Sequence, residues 1–388
     1  MRNWKQTYSN EYGFLKVEDD TKQIQALQER WETNLGKQVK EYFLDLIKNP
    51  TSYSDSQKPF WEKLPFWRET HSFIDFRGIN LSGQEFQGFD VDELTGIDFS
   101  YANLNSCKFT NSFFWVLIAH KASFNQACFD NVSLSMPLLS NCSFHNSEFH
   151  KLSIFGESSS IENTSFANSV FDQCEITIYP RFSGTLQPFS YGFWDHIDFS
   201  KSNIESSQLI FDNGDISESM DANCKSRVNR YRPVNHHQQR VAVEELYATH
   251  PHLKNYLHYI KHTNLDFTNT KIIGSKLQFL KGKWNQLIFR DAKLKDVDWD
   301  GKTAKEVLTE IVNNPGQLFG LLGADFSGAH LINNNLQHMY LQNASFKNAQ
   351  LEQTDFRYSK LDEVDFTNTK FKNVKGIPLK TKWLGKKK

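Results

Sequence analysis

The stretch RVNRYRPVNHHQQR concentrates the side chains best suited to chemistry in this 388-residue chain. Arg227, Arg230, Arg232 and Arg240 surround Tyr231, and each guanidinium is a planar fork that can grip phosphate or carboxylate oxygens in pairs. His236 and His237 are neighbours, so on a helix they point different ways. A histidine four residues after His237 would suggest a zinc pair, but position 241 is valine. His258 and His262 stand four apart with no carboxylate or cysteine at suitable spacing to complete a site. Cys224 is a nucleophile in principle, with His236 or His237 as base, and nothing in the sequence specifies that geometry. No P-loop, GxSxG or Rossmann fingerprint occurs. The expectation is binding, not catalysis, with no metal and no cofactor. The plainer alternative is a solvated basic turn leading into a helix.

A second candidate contact set lies in IYPRFSGTLQPFSYGFWDH, residues 178–196, where Phe182, Phe189, Tyr191 and Trp194 stand among Pro and Gly. With the arginine–histidine cluster, these are the expected partner-binding residues. Both groups interrupt a pattern that dominates the rest of the chain, and that pattern decides what must position them.

In ASFKNAQLEQTDF, residues 344–356, the bulky residues Phe346, Leu351 and Phe356 recur every five. A step of five scatters residues around a helix and alternates them between the faces of a straight strand. A chain that turns a corner every five residues satisfies the spacing. On each short side, residues i and i−2 point inward, and the corner resets the direction. Stacked coils then share parallel backbone hydrogen bonds, which is a solenoid. The same phase runs from Phe326 to Phe371, and an earlier run goes from Leu94 to Ile154 with Ala119 its one weak centre. With the shorter runs Phe76–Phe86, Phe166–Ile176, Phe199–Leu209, Phe267–Leu277 and Trp284–Trp299, these centres account for most of the 33 phenylalanines.

YANLNSCKFTNSFF and GADFSGAHLINNN resemble the pentapeptide-repeat family, over roughly residues 74–373 with interruptions. The resemblance implies a mainly β fold: a right-handed quadrilateral parallel β-helix, about 20 residues per coil. Pro137, Leu152, Asn334 and Met339 depart from the small residue expected at i−2 and should distort the square locally.

The expected organisation is an N-terminal helical and aromatic cap over 1–72, with one amphipathic helix at 21–49. An acidic β-helix over 73–211 contains the 178–196 loop. A basic, partly helical insertion covers 212–263. A second β-helix segment spans 264–373 with a helical insert at 300–323, and a Lys-rich tail covers 374–388. Long insertions on a rigid scaffold are the expected sites of recognition. Cys107, Cys142 and Cys174 fall at i−2 and should be buried, while Cys128 should face outward.

Net charge is −1, but its distribution is uneven. Residues 71–222 carry 19 acids against 6 bases, and 223–388 carry 27 bases against 15 acids. Such a dipole steers partners. No apolar run approaches the roughly 18 residues of a membrane span, and the N-terminus lacks an apolar signal core, so a cytoplasmic location is expected.

Two functions fit. One is a protein-interaction scaffold. The other follows from the resemblance: some members mimic DNA in width and negative charge and protect type II topoisomerases (gyrase or topoisomerase IV). The basic half opposes mimicry along the full length. The family habit of pairing through the C-terminal coil makes a homodimer a further expectation, opposed by the lysines there.

Overall fold

The computed structural model describes residues 21–48, 63–65, 73–91, 96–155, 160–178, 193–212, 264–280, 286–299, 321 and 323–377. Within the last of these segments the reason for the five-residue period is visible in the backbone. Asn333, His338, Asn343, Asn348, Gln353, Tyr358, Glu363, Asn368 and Asn373 all have φ between 52° and 66°. This left-handed conformation turns the chain two residues after each bulky centre, and Asn and Gly tolerate it best. Four corners close a coil. The strand Gln350–Glu352 therefore lies in parallel register with Lys370–Lys372, Leu351 opposite Phe371. The described strands form two parallel sheets of 13 and 11 strands, supplemented by single bridges such as Asp325 with Ser345.

The bulky centres stack along the axis. Phe124, Phe144, Phe166, Phe199, Phe267, Phe289, Phe326, Phe346 and Phe366 form one ladder with centroids 4.6–5.4 Å apart and planes within 14°. Phe86, Phe109, Phe129, Phe149 and Phe171 form a second, 4.4–5.2 Å apart. Ring spacing of this kind follows directly from the distance of about 4.8 Å between hydrogen-bonded strands. The first ladder crosses from Phe199 to Phe267 without a gap, so the tube continues through the break in repeat phase.

Residues at i−2 do more than fit. Ser147, Ser169, Ser202 and Thr270 each donate a hydroxyl hydrogen bond to the carbonyl of the preceding side's centre in the coil before, at 2.7–2.9 Å. The thiols of Cys107, Cys142 and Cys174 are placed equivalently, donating to Leu81, Ala119 and Phe149. Asn334, oversized for its slot, is buried because it accepts from Trp299 Nε1 at 2.8 Å and donates to two backbone carbonyls. There the departure is absorbed by hydrogen bonding.

At Pro137 the square does change. The strands Phe113–His120 and Ser133–Ser140 each run eight residues without turning. Their corner positions are Val116 and Met136, and neither has a positive φ. Val116, β-branched, resists the left-handed turn, and Met136 pairs with it in register, so in each strand two sides run straight into one another.

The expected single helix at 21–49 is two helices, Thr21–Glu29 and Asn34–Lys48, separated by the 3₁₀ turn Arg30–Glu32. Thr33 is extended, and its hydroxyl accepts from Gly36 N–H while donating to Arg30 carbonyl. That local cap starts a new helix. The break places Arg30 and Trp31 over the first coil. Trp31 Nε1 donates to Arg77 carbonyl at 2.8 Å, and Phe43 meets Phe76 at 3.9 Å between centroids. Gly78, at φ +72°, leaves no room for a Cβ beside the Leu27 carbonyl. Beneath this cap Asp75 is held by both Arg30 and Arg77 at 2.8 Å. Burial works to raise its pKa, but hydrogen bonds and charge from the two guanidiniums drive it far below the usual carboxylate range.

Candidate interaction surface

Two walls of the tube differ in what they can present. The strands Glu175–Ile178, Gln208–Asp212 and Lys276–Leu280 are successive rungs of one ladder. The strands that resume the chain, Phe193–Asp198, Asn264–Asp266 and Gln286–Ile288, are successive rungs of the next. Segments 179–192, 213–263 and 281–285 therefore all leave and rejoin the tube along one wall. The chain departs after Trp299 and returns by Leu321 between equivalent ladders, since Asp298 bridges to Lys276.

Most of the expected contact residues sit in those segments. Phe182, Phe189, Tyr191, Arg227, Arg230, Arg232, His236, His237 and Arg240 lie outside the described residues, as do Cys224, His258 and His262. Trp194 belongs to Phe193–Asp198, opposite Ile161.

Another wall has no such exits. Its 11 strands each contribute three residues, the middle one buried or partly buried and its neighbours directed outward. From Glu85–Gln87 to Asn203–Glu205 the outward charges are Glu85, Lys108, Asp130, Glu148, Asp172 and Glu205. From Lys271–Ile273 to Lys370–Lys372 they are Lys271, Lys293, Lys295, Glu352, Lys370 and Lys372. The uneven composition of the chain thus becomes a reversal of sign along one flat face. At the boundary Lys271 Nζ meets Glu205 Oε1 at 3.0 Å, and this hydrogen bond, with a second from Asn203, lowers the Glu205 pKa. Sequence reasoning missed this face because the rungs of Glu205 and Lys271 are brought together only by the closure of 213–263.

The four described cysteines are held towards the thiol form. Burial pushes the Cys142 thiol up to about 12 and those of Cys107 and Cys174 to about 11. Cys128, on the acidic half of the face, is raised by partial burial and by Glu148 and Asp130. Among the described residues no group of three or more His, Cys, Asp or Glu is arranged to hold a metal, and no helix is long and apolar enough to cross a membrane.

The family model for pentapeptide repeats matches in 8 copies, over residues 97–135, 321–348 and 340–373. No curated protein matches in sequence. Among solved structures, the chain is similar to HetL from the cyanobacterium Nostoc sp. strain PCC 7120, a protein involved in heterocyst differentiation regulation. Identity is 15%, coverage 76% of this chain and 90% of that one, and TM-score 0.19. It is also similar to full-length QnrB1, a plasmid-mediated fluoroquinolone resistance protein, at 12% identity, 80% and 97% coverage and TM-score 0.24.

Proposed function

This chain is a pentapeptide-repeat protein, and from that premise we propose that it is a non-catalytic scaffold holding its loops and flat faces against a protein partner. The observation that carries this reading is the shared wall from which 179–192, 213–263 and 300–320 depart. A stacked tube gives such segments fixed spacing without needing any reactive residue. Phe182, Phe189 and Tyr191 from the first segment, with Trp194 on the strand that follows it, would then act beside Arg227, Arg230, Arg232, His236, His237 and Arg240 from the second. The test replaces 213–263 by a short linker between Asp212 and Asn264. The reading expects unchanged melting and loss of a protein that the full chain captures from its host. Capture of the same proteins by both forms contradicts it.

A second reading, binding to a type II topoisomerase, is favoured by one observation. Asp130, Glu148, Asp172 and Glu205 stand on closely stacked rungs, as a row of phosphates would. Lys271 and the lysines beyond it limit any mimicry to the N-terminal half. Binding to purified gyrase that duplex DNA competes away supports this reading, and absence of binding at low salt ends it. End-to-end pairing through the C-terminal coil has less support, because Lys370, Lys372 and Lys375 gather at that end.

A further inference from the structure

The 11-stranded wall carries a charge pattern that is opposite in sign about its own midpoint, and we propose that it docks a second copy of this chain, face to face and reversed end for end. The midpoint of 11 strands is the sixth, Asn203–Glu205. A two-fold axis along that strand brings each rung opposite the rung equally far on the other side. Strand Val170–Asp172 then faces Lys271–Ile273, setting Asp172 against Lys271 of the second copy. Strand Glu148–His150 faces Lys293–Lys295, setting Glu148 against Lys293.

The two residues that break the trend are the more telling. Lys108 is a base in the acidic half and Glu352 an acid in the basic half, and their strands face each other under this operation. The outermost rungs repeat the match, Glu85 against Lys370 and Lys372. Corner residues follow the same rule. Lys151, after Glu148–His150, comes opposite Asp296, after Lys293–Lys295. The remaining rung sets Asp130 against His330. At the axis Glu205 meets its own counterpart, each with Lys271 already bound. The two outward rows of a strand are about 7 Å apart, so a lysine stem spans from one row to the other.

A two-fold interface must be complementary to itself, and a face whose sign reverses about its centre meets that condition by charge alone. Ten rung spacings make it about 48 Å long, and at about 10 Å wide it covers on the order of 500 Å² per copy. That is below the roughly 800 Å² per partner of a standard interface. Association should therefore be weak and sensitive to salt. No described strand of this wall is a point of departure for the segments that leave the tube, so the approach is open along the described rungs.

The test is the oligomeric state of the full chain by sedimentation velocity, at about 0.05 M and about 0.5 M salt. The proposal expects a dimer at low salt whose dissociation constant rises roughly tenfold or more at high salt. Glu148→Lys alone and Lys293→Glu alone should each be monomeric, since each sets two like charges together twice. Mixing the two variants should restore a dimer, because the altered pair attracts and the other pair is unaltered. Circular dichroism checks that both are folded; should either fail, Glu85→Lys and Lys370→Glu make the same test at the outer rungs. A monomer at all salt concentrations overturns the proposal. So does a dimer indifferent to these substitutions, which would place association elsewhere, and so does a mixture that stays monomeric.

Discussion

Phe267 sits at the point where the tube must continue across a 51-residue departure of the chain, from 213 to 263. It is fully buried, with Phe199 at 5.0 Å on one side and Phe289 at 4.9 Å on the other, both nearly parallel to it, and Phe211 at 6.4 Å edge-on. Phe267→Ala removes the ring from an enclosed column, where neither neighbour can move without leaving its own rung. The lost transfer energy and the cavity together should cost about 3–5 kcal/mol. Phe371→Ala is the internal control. Phe371 is partly buried at the last described coil and among the described residues has one ring neighbour, Phe366 at 5.7 Å. Being only partly buried, with no described coil stacked beyond it, its loss should cost about 1–2 kcal/mol. Urea unfolding followed by circular dichroism measures both. A solenoid transmits stability only between neighbours, so Phe267→Ala should also broaden the transition by uncoupling the two halves. A cost for Phe267→Ala no greater than that for Phe371→Ala would refute a continuous aromatic column.

Other perturbations probe the corners, the cap and the thiols. Asn343 turns a corner at φ 61°; Asn343→Val should cost about 1–2 kcal/mol in thermal melting, and Asn343→Gly close to nothing. Asp75→Asn removes the charge that neutralises Arg30 and Arg77 under the cap and should cost about 3–5 kcal/mol. Because the Asp75 pKa is depressed in the folded chain, its contribution is complete above the unfolded value near 3.8 and is lost as pH falls below it. Melting temperature of the parent should fall between pH 5 and pH 3 more steeply than that of Asp75→Asn, and parallel curves would contradict the ion cluster. Among the described cysteines, Cys128 should react first with a thiol reagent, and Glu148→Gln should speed it by lowering its raised pKa. Equal labelling of Cys142 would show that the column is not closed.

The tube was legible because two residue classes recur in fixed relation, bulky at i and small at i−2, and stacking accepts nothing else. The need for a corner was legible, but the residues that turn it, two after each centre, and their failure at Val116 and Met136 emerged only from the backbone. The split of the N-terminal helix was harder. Its apolar spacing runs on past Thr33, and the break rests on the Thr33 cap together with the contact of Arg30 with Asp75, distant in sequence. The charged wall could not be read at all from neighbours in sequence. Glu205 and Lys271 are adjacent rungs separated by 66 positions, and the sign pattern appears only after the rungs are put in order. The residues expected to bind a partner mostly fall in the segments that leave the tube, where a five-residue rule has no force.

The most direct measurement of the central claim, one tube that stacks unbroken across the points where long segments depart, is a disulfide across the largest departure. Gln208 and Lys276 are register partners on adjacent rungs, about 4.8 Å apart and within the range a disulfide can bridge. In a chain with Cys128 and Cys224 replaced by serine, Gln208→Cys with Lys276→Cys should oxidise to an intramolecular link. Gln208→Cys with Asp298→Cys, two rungs apart at about 9.6 Å, should not. Failure of the first pair, or equal linking by both, would mean that the coils on either side of 213–263 do not stack.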